Sequence, residues 1–494
     1  MLLRRSAAVL LAALGGIAAL AAAGASASRG PVPVVLGVDT TPFTATVSWR
    51  LPEAARVVVE VGRDERYGIW SPTTVARAAG TGTTALTGLE PATVYRFRVV
   101  ARWGSGLRSE ARGSFRTDPW PHATSAAAPR SAPAGTAALG AGSPYVLPPA
   151  RPPGVAQPPS SSQPQTSSGP RYESSAPLLV NGHPVFPRMV WRQCPAYYGT
   201  SLGAGINLFL GAWCDTTPEM QMALLAGRAL STVDAHTPGV TGPGMIGWHL
   251  PDEADVSVGG ADRLPSPKAD GRVTFLTLTD KFATGTAPGP HGKEIYPGLF
   301  ALADVIGFDT YPIEVRCSLA QIDNVYWMQR ELVQLAQGKP TFQWIEAGPM
   351  EHCRDNEDPT PATVRAQVWL AIAGGATGIG YFPDYWAEDI RNEVRRINRD
   401  LVSLAPALLS PPARVSAPDG PVRVAARRYN GALYVIVVNT STTPARATFS
   451  AAGLQGRTLR TFAEGREVRP LGDVVTDTLP GLGVAIYVAP PAGW

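Results

Sequence analysis

Two stretches of this 494-residue chain run an apolar segment directly into acids. Gly244-Met-Ile-Gly-Trp248 reads as a short buried strand, and Asp252, Glu253 and Asp255 follow at once. Thr341-Phe-Gln-Trp-Ile345 reads the same way and ends in Glu346, with Gly348 and Pro349 behind it. A strand that terminates in a carboxylate delivers that group to the mouth of a sheet or barrel. Two glutamates so placed suit scission of a glycosidic bond: one protonates the leaving oxygen, the other attacks or stabilises the sugar cation. A single Asp-Glu pair is as readily a solvated turn. Two glutamates, each straight after an apolar strand, weigh against that. Retention of configuration would require their carboxyl groups about 5–5.5 Å apart across an open cleft.

Other residue types narrow the chemistry. His236 and His249 follow two of the apolar runs, but neither lies in an H-E-x-x-H run or beside a C-x-x-C pair, so no metal is expected. No Gly-rich phosphate loop appears and no organic cofactor is expected. His236 reads as a sugar contact, and His249 as readily as a buried polar group. Tyr197, Tyr198, Trp213, Tyr381, Tyr385 and Trp386 stand in strand-end segments on the same predicted face, where aromatic planes can stack on sugars. Trp248 and Trp344, inside the strands, read as core. The four cysteines, Cys194, Cys214, Cys317 and Cys353, all lie in this region. They follow neighbouring strands, so adjacent loops can be stapled as Cys194–Cys214 and Cys317–Cys353 in an exported chain, the alternative being buried thiols.

The elements that must hold these residues follow from pattern. Strand–helix alternation begins near Ala176, and eight candidate strands fall between there and Phe382: 185–191, 206–211, 231–234, 245–248, 273–278, 304–308, 341–345 and 378–382. Helical periodicity marks 217–230, 318–337, 360–374 and 387–408. This predicts an α/β TIM (β/α)8 barrel over 176–411. Only a few residues join Asp234 to Met245, too few for a helix, so that side should be irregular. Residues 412–494 return to period two, with Asn430-Gly431 between two such runs as a hairpin signal, and read as a C-terminal all-β sandwich.

Upstream, Arg4 and Arg5, an Ala-rich apolar stretch and Ala25-Ser-Ala27 read as a signal peptide over 1–27, cleaved near Ala27, so secretion is expected. Residues 119–175 are rich in Pro, Ser, Ala and Gly and read as a disordered linker. The formal net charge is +4 with no basic run, and no nucleic-acid partner is expected.

Residues 31–118 alternate with period two between turn signals, as in an N-terminal all-β sandwich. Trp49 and Leu86-Thr-Gly-Leu-Glu-Pro-Ala-Thr-Val-Tyr95 resemble the early-strand Trp and the L-x-x-L-x-P-x-T-x-Y corner of fibronectin type III domains. That resemblance implies a spacer or adhesion module, a route to a cell-wall or polysaccharide surface. The barrel in turn resembles the clan A glycoside hydrolases, retaining enzymes with glutamates after strands four and seven. The resemblance covers about half the chain and implies that Glu253 is the acid/base, Glu346 the nucleophile and Tyr311 the strand-six tyrosine that contacts the nucleophile. It offers Arg188 or Arg192 for the clan's arginine. The clan has Asn where this chain has Asp252; Asn donates a hydrogen bond to the sugar, whereas an ionised Asp only accepts one. The expected protein is a secreted, monomeric glycosidase acting on a carbohydrate substrate; the alternative is a non-catalytic carbohydrate-binding or adhesion protein with a decayed barrel.

Overall fold

The computed structural model describes residues 30–120, 126–127, 174–237, 239–265, 270–284, 293–350, 353, 358–383 and 385–494. The expected signal peptide and most of the expected linker lie outside them.

Eight parallel strands close into a barrel in chain order. They are β1 Arg188–Gln193, β2 Leu208–Ala212, β3 Leu230–Asp234, β4 Met245–His249, β5 Val273–Thr279, β6 Val305–Asp309, β7 Thr341–Glu346 and β8 Gly378–Phe382. β8 closes on β1, with Gly380 opposite Met189. Inward side chains of alternate positions fill the interior: Met189, Trp191, Leu208, Leu210, Ile246, Phe275, Phe342 and Trp344 belong to one buried cluster. This is a packed core rather than a pore, as alternation in a small barrel requires. β1 starts later than the pattern suggested. Val185 instead belongs to a hairpin of 178–180 with 183–185, and Leu178, Val180 and Val185 join the interior cluster.

Helices cover the outside unevenly. α1 Pro195–Gly203 and α2 Pro218–Leu225 follow β1 and β2; α3 Ala254–Ser257, α4 Lys281–Thr284 and α5 Tyr296–Leu302 are short; α6 Asn324–Leu335, α7 Pro361–Ala373 and α8 Glu388–Leu408 are long. α7 begins where the sequence signals it. Thr360 accepts from the Thr363 amide at 3.2 Å, and Pro361 occupies the first turn. Among the described residues no helix joins β3 to β4, the irregular side the short connection predicted. Asp252, Glu253 and Asp255 follow β4 on this thinly covered side.

Two all-β units flank the barrel. At the N-terminal side, a three-stranded antiparallel sheet and a second sheet built on 55–62, 94–103 and 108–116 share a core of Val47, Trp49, Val57, Val59, Tyr95 and Phe97. The Tyr95 hydroxyl accepts from the Glu90 amide at 2.9 Å, which pins the corner before its strand. At the C-terminal side, a six-stranded sheet packs on the pair 445–450 and 474–479. Asn430 and Gly431, both left-handed, make the tight turn between 422–429 and 432–439.

The N-terminal unit is docked on the barrel. Arg188, at the first residue of β1, forms a buried ion pair with Glu90 and donates to the Gly205 carbonyl at 2.8 Å. Asn207 Nδ2 also donates to Glu90, at 3.1 Å. Elsewhere Arg66 pairs with Asp400 of α8 at 2.6 Å, and the Arg63 amide donates to Ser403 at 2.9 Å. Arg188 therefore belongs to the base of the barrel, at the end of β1 away from the acids. Of the two arginines offered for the mouth, only Arg192 lies at the other end.

Among the described residues no helix is long and apolar enough to cross a membrane.

Candidate active site

β4 ends in His249, and the chain turns through Leu250 and Pro251 to Asp252 and Glu253. Glu253 has φ 43° and ψ 51°, a left-handed conformation at the start of α3. For a residue with a Cβ this costs about 1–2 kcal/mol, so the surroundings must impose it. They do so through Asp255, which is fully buried. Its carboxylate accepts from the Thr279 amide at 2.9 Å, the Thr279 hydroxyl at 2.7 Å and the Tyr296 hydroxyl at 2.8 Å. Ser257 closes the turn by donating to the Asp252 carbonyl at 2.6 Å. The third acid of the run is thus a clamp between the end of β4 and the end of β5, and it aims the second. Glu253 is itself half-buried, and its carboxyl makes no hydrogen bond to a described residue. Burial, and then the charges of Asp252 and Asp255, push it above the ordinary carboxyl range. Asp252 is raised too, by burial, with Arg192 opposing.

Along β1 to β3 the mouth carries a mixed aromatic and charged rim. The Arg192 guanidinium lies 5.0 Å from the Trp191 ring and 5.5 Å from the Trp213 ring. Trp213 remains 53% exposed. Arg192 also approaches Asp234 at 3.7 Å, and Asp234 accepts from the His236 amide at 2.8 Å and lies 3.0 Å from its Nδ1. Burial raises the Asp234 carboxyl, but the His236 hydrogen bonds and the two nearby imidazoles leave it below the ordinary range. His236 is open to solvent at the rim. His249 is buried beside Trp191, its Nδ1 3.0 Å from the Thr232 hydroxyl, and burial pushes it down to about 4, so it is neutral at pH 7.

Gly211 makes room for that imidazole. Its φ is +81°, and an added Cβ would lie 3.1 Å from His249 Cε1 and 3.2 Å from Nε2. Gly211→Ala is expected to cost about 1–2 kcal/mol from the left-handed backbone alone, read as a lower urea midpoint. An unchanged midpoint would show that the loop relaxes freely.

Glu346 departs from expectation. It ends β7 but has no exposed surface. Its carboxylate accepts from the Ile313 amide at 3.1 Å, the Glu314 amide at 2.9 Å and Gln367 Nε2 at 2.8 Å. Burial pushes the group up to about 7 against those three donors. The loop after β6 has folded over it, and it faces no open cleft. Tyr311 stacks on Phe382 with ring centroids 6.0 Å apart. Burial, and then the charges of Asp309, Asp252, Glu253 and Glu346, push its phenol well up.

Two expected sugar contacts are core residues. Tyr381 has no exposed surface and donates to Asn398 of α8 at 2.8 Å. β8 turns it outward because Gly380 is the inward residue, its Cβ position filled by the Trp344 ring. Trp386 is 9% exposed and donates to Ser201 of α1 at 3.2 Å. Tyr198 is buried as well, while Tyr197 and Tyr385 are open, at 43% and 51%. Gly199-Thr-Ser-Leu-Gly203 has the spacing of a nucleophile elbow, but it lies within α1 rather than on a strand-to-helix turn, and Ser201 is fully buried.

Disulfides join Cys194 to Cys214 and Cys317 to Cys353, with Cα separations of 5.2 and 5.6 Å. The first ties the loops after β1 and β2, beside Trp213. The second ties the loop over Glu346 to the segment after β7.

No family model matches the chain, and no curated protein does. Among solved structures it is similar to a glycoside hydrolase at 12% identity and TM-score 0.42, over 65% of this chain and 96% of the other. It is also similar to alpha-galactosidase I from Mortierella vinacea, at 12% identity and TM-score 0.36, over 62% and 97%. A GH30 endoxylanase from Clostridium papyrosolvens follows at 9% and 0.35, over 62% and 96%. Likenesses this faint decide neither family nor activity; the barrel rests on its own strand order.

Proposed function

We propose that this chain is an exported glycoside hydrolase that works at the C-terminal mouth of its barrel, with Glu253 as the carboxyl that protonates the glycosidic oxygen. The observation that carries the reading is the state of Glu253. It sits on a strained turn at the end of β4, free of hydrogen bonds to described residues, and burial with two flanking acids favours its protonated form. A general acid needs that combination of proton retention and an uncommitted carboxyl group. Trp213, His236 and Tyr385, exposed in the segments after β2, β3 and β8, supply planes and a polar contact for sugar. The two disulfides and the signal-like start of the sequence support export. The Tyr95–Glu90 corner supports reading the N-terminal unit as a fibronectin type III domain. Screening the full-length protein for hydrolysis of aryl glycosides and polysaccharides tests the proposal, and failure on every substrate sinks it.

One observation favours the binding-protein alternative: Glu346, the expected second carboxylate, is closed off by three donors. In the glycosidase reading it serves instead to hold the loop after β6.

The pH profile gives a directional check. Asp252 is one of the charges that keep Glu253 protonated, so Asp252→Asn lets Glu253 ionise at lower pH. The alkaline limb of kcat/KM reports loss of the required proton, and it should move to lower pH in this variant. A limb that stays or rises argues against Glu253 as the acid.

A further inference from the structure

We infer that Asp309 is the carboxylate that works with Glu253 on the sugar, in the place Glu346 was expected to fill. The inference rests on the glycosidase reading above.

The direction of Asp309 follows from β6. Val305 belongs to the barrel interior, and an added Cβ at Gly307 would meet the Phe342 ring at 2.2 Å. Ile306 and Phe308 face the other way, in the cluster with Leu332 and Ala336. Asp309, the last residue of β6, is therefore an inward position at the mouth. It is 9% exposed.

Three other acids of the mouth are committed and Asp309 is not. Asp255 takes three hydrogen bonds; Asp280 accepts from Thr310 and pairs with Arg316; Glu346 takes three donors. The Asp309 carboxyl has no hydrogen bond or ion pair with a described residue. A buried carboxyl without a partner is costly, and folds keep such groups where function uses them. The groups that bear on it point at one place. Burial, then the charges of Glu253 and Asp252, push it well above the ordinary range. Carboxyl groups that repel one another in this way hold one proton between them rather than two charges.

The chemistry balances on that pair. The protonated member gives its hydrogen to the glycosidic oxygen as the bond to the anomeric carbon breaks, the electron pair staying with the oxygen. The ionised member faces the cation left behind. Water then adds to the anomeric carbon and passes a proton back, so the pair ends with the one proton it began with.

The test uses the full-length protein, the glycan that wild type cleaves best, and three variants: Asp309→Asn, Asp309→Ala and Glu346→Gln. Asp309→Asn should lower kcat at least about 100-fold with a Tm equal to or above wild type, since no hydrogen bond is lost. Sodium formate should return part of the turnover to Asp309→Ala and add none to wild type. Glu346→Gln should keep kcat within about tenfold of wild type per folded molecule. Asp309→Asn that stays within that range overturns the pairing and leaves the glycosidase reading standing. So does a lowered Tm in both Asp309 variants, which would mark a structural role, and so does a loss confined to Glu346→Gln. A wild-type protein that cleaves nothing overturns both readings together.

Discussion

Glu253→Gln should reduce turnover of an unactivated polysaccharide by about 10²–10⁴-fold, the usual worth of a positioned general acid. The substitution keeps the shape of the side chain and its left-handed backbone, and it breaks no hydrogen bond to a described residue. The fold should therefore be unchanged, and the loss should lie in the chemistry. Substrates whose leaving group departs without a proton offer the internal control. On an aryl glycoside with an acidic phenol, bond cleavage should survive, and the deficit should be far smaller than on the polysaccharide. Glu253→Ala with added azide should then yield a glycosyl azide if cleavage passes through a glycosyl-enzyme, because a small anion needs no base. Equal losses on both substrate types would remove the acid role, and a variant as active as wild type would remove Glu253 from the mechanism.

Glu90→Ala should have the largest effect on stability, about 3 kcal/mol or more, because removing one partner of a buried pair strands the other charge. The Arg188 side chain is 4% exposed and Glu90 15%. Without Glu90 the guanidinium keeps the Gly205 carbonyl at 2.8 Å but loses its counter-charge, and Asn207 Nδ2 loses an acceptor. The urea midpoint should fall accordingly. Replacing both partners at once, Glu90→Leu with Arg188→Met, should recover most of the loss, since an apolar pair of similar volume often matches a buried ion pair. A loss below about 1 kcal/mol in the single variant would put the pair among surface bridges of small worth.

The barrel was legible because its strands are short apolar runs whose ends the chain marks with Gly, Pro or an acid. Val273–Thr279 and Gly378–Phe382 fall within a residue of their expected ends. The missing helix between β3 and β4 could be read from length alone. The site was harder. Asp309 follows Val305-Ile-Gly-Phe308 just as Glu346 follows Thr341–Ile345, so both fit the same signal. What separates them is the path of the loop after β6, whose amides at 313 and 314 close over Glu346 together with Gln367 from α7. Contacts so distant in the chain leave no local mark. Tyr381 is different, because a signal was present. Gly378 and Gly380 alternate as the small inward residues of β8, facing the bulk of Phe342 and Trp344, and that pattern already turns Tyr381 outward.

The docking of the N-terminal sandwich changes what the chain between 120 and 174 is for. Glu90 and Arg66 grip the barrel, Asn430 Nδ2 donates to the Trp70 carbonyl at 2.8 Å, and Trp494 Nε1 donates to Thr73 at 3.1 Å. The sandwich is held by three-way contact, so its attachment does not depend on covalent continuity, and a protein nicked between 130 and 170 should travel as one particle. Fixed in this way, the sandwich behaves as a bracket rather than a leash. Any surface that its outer sheet meets would set the compass bearing of the mouth, and with it which strands of a polymer can reach Glu253.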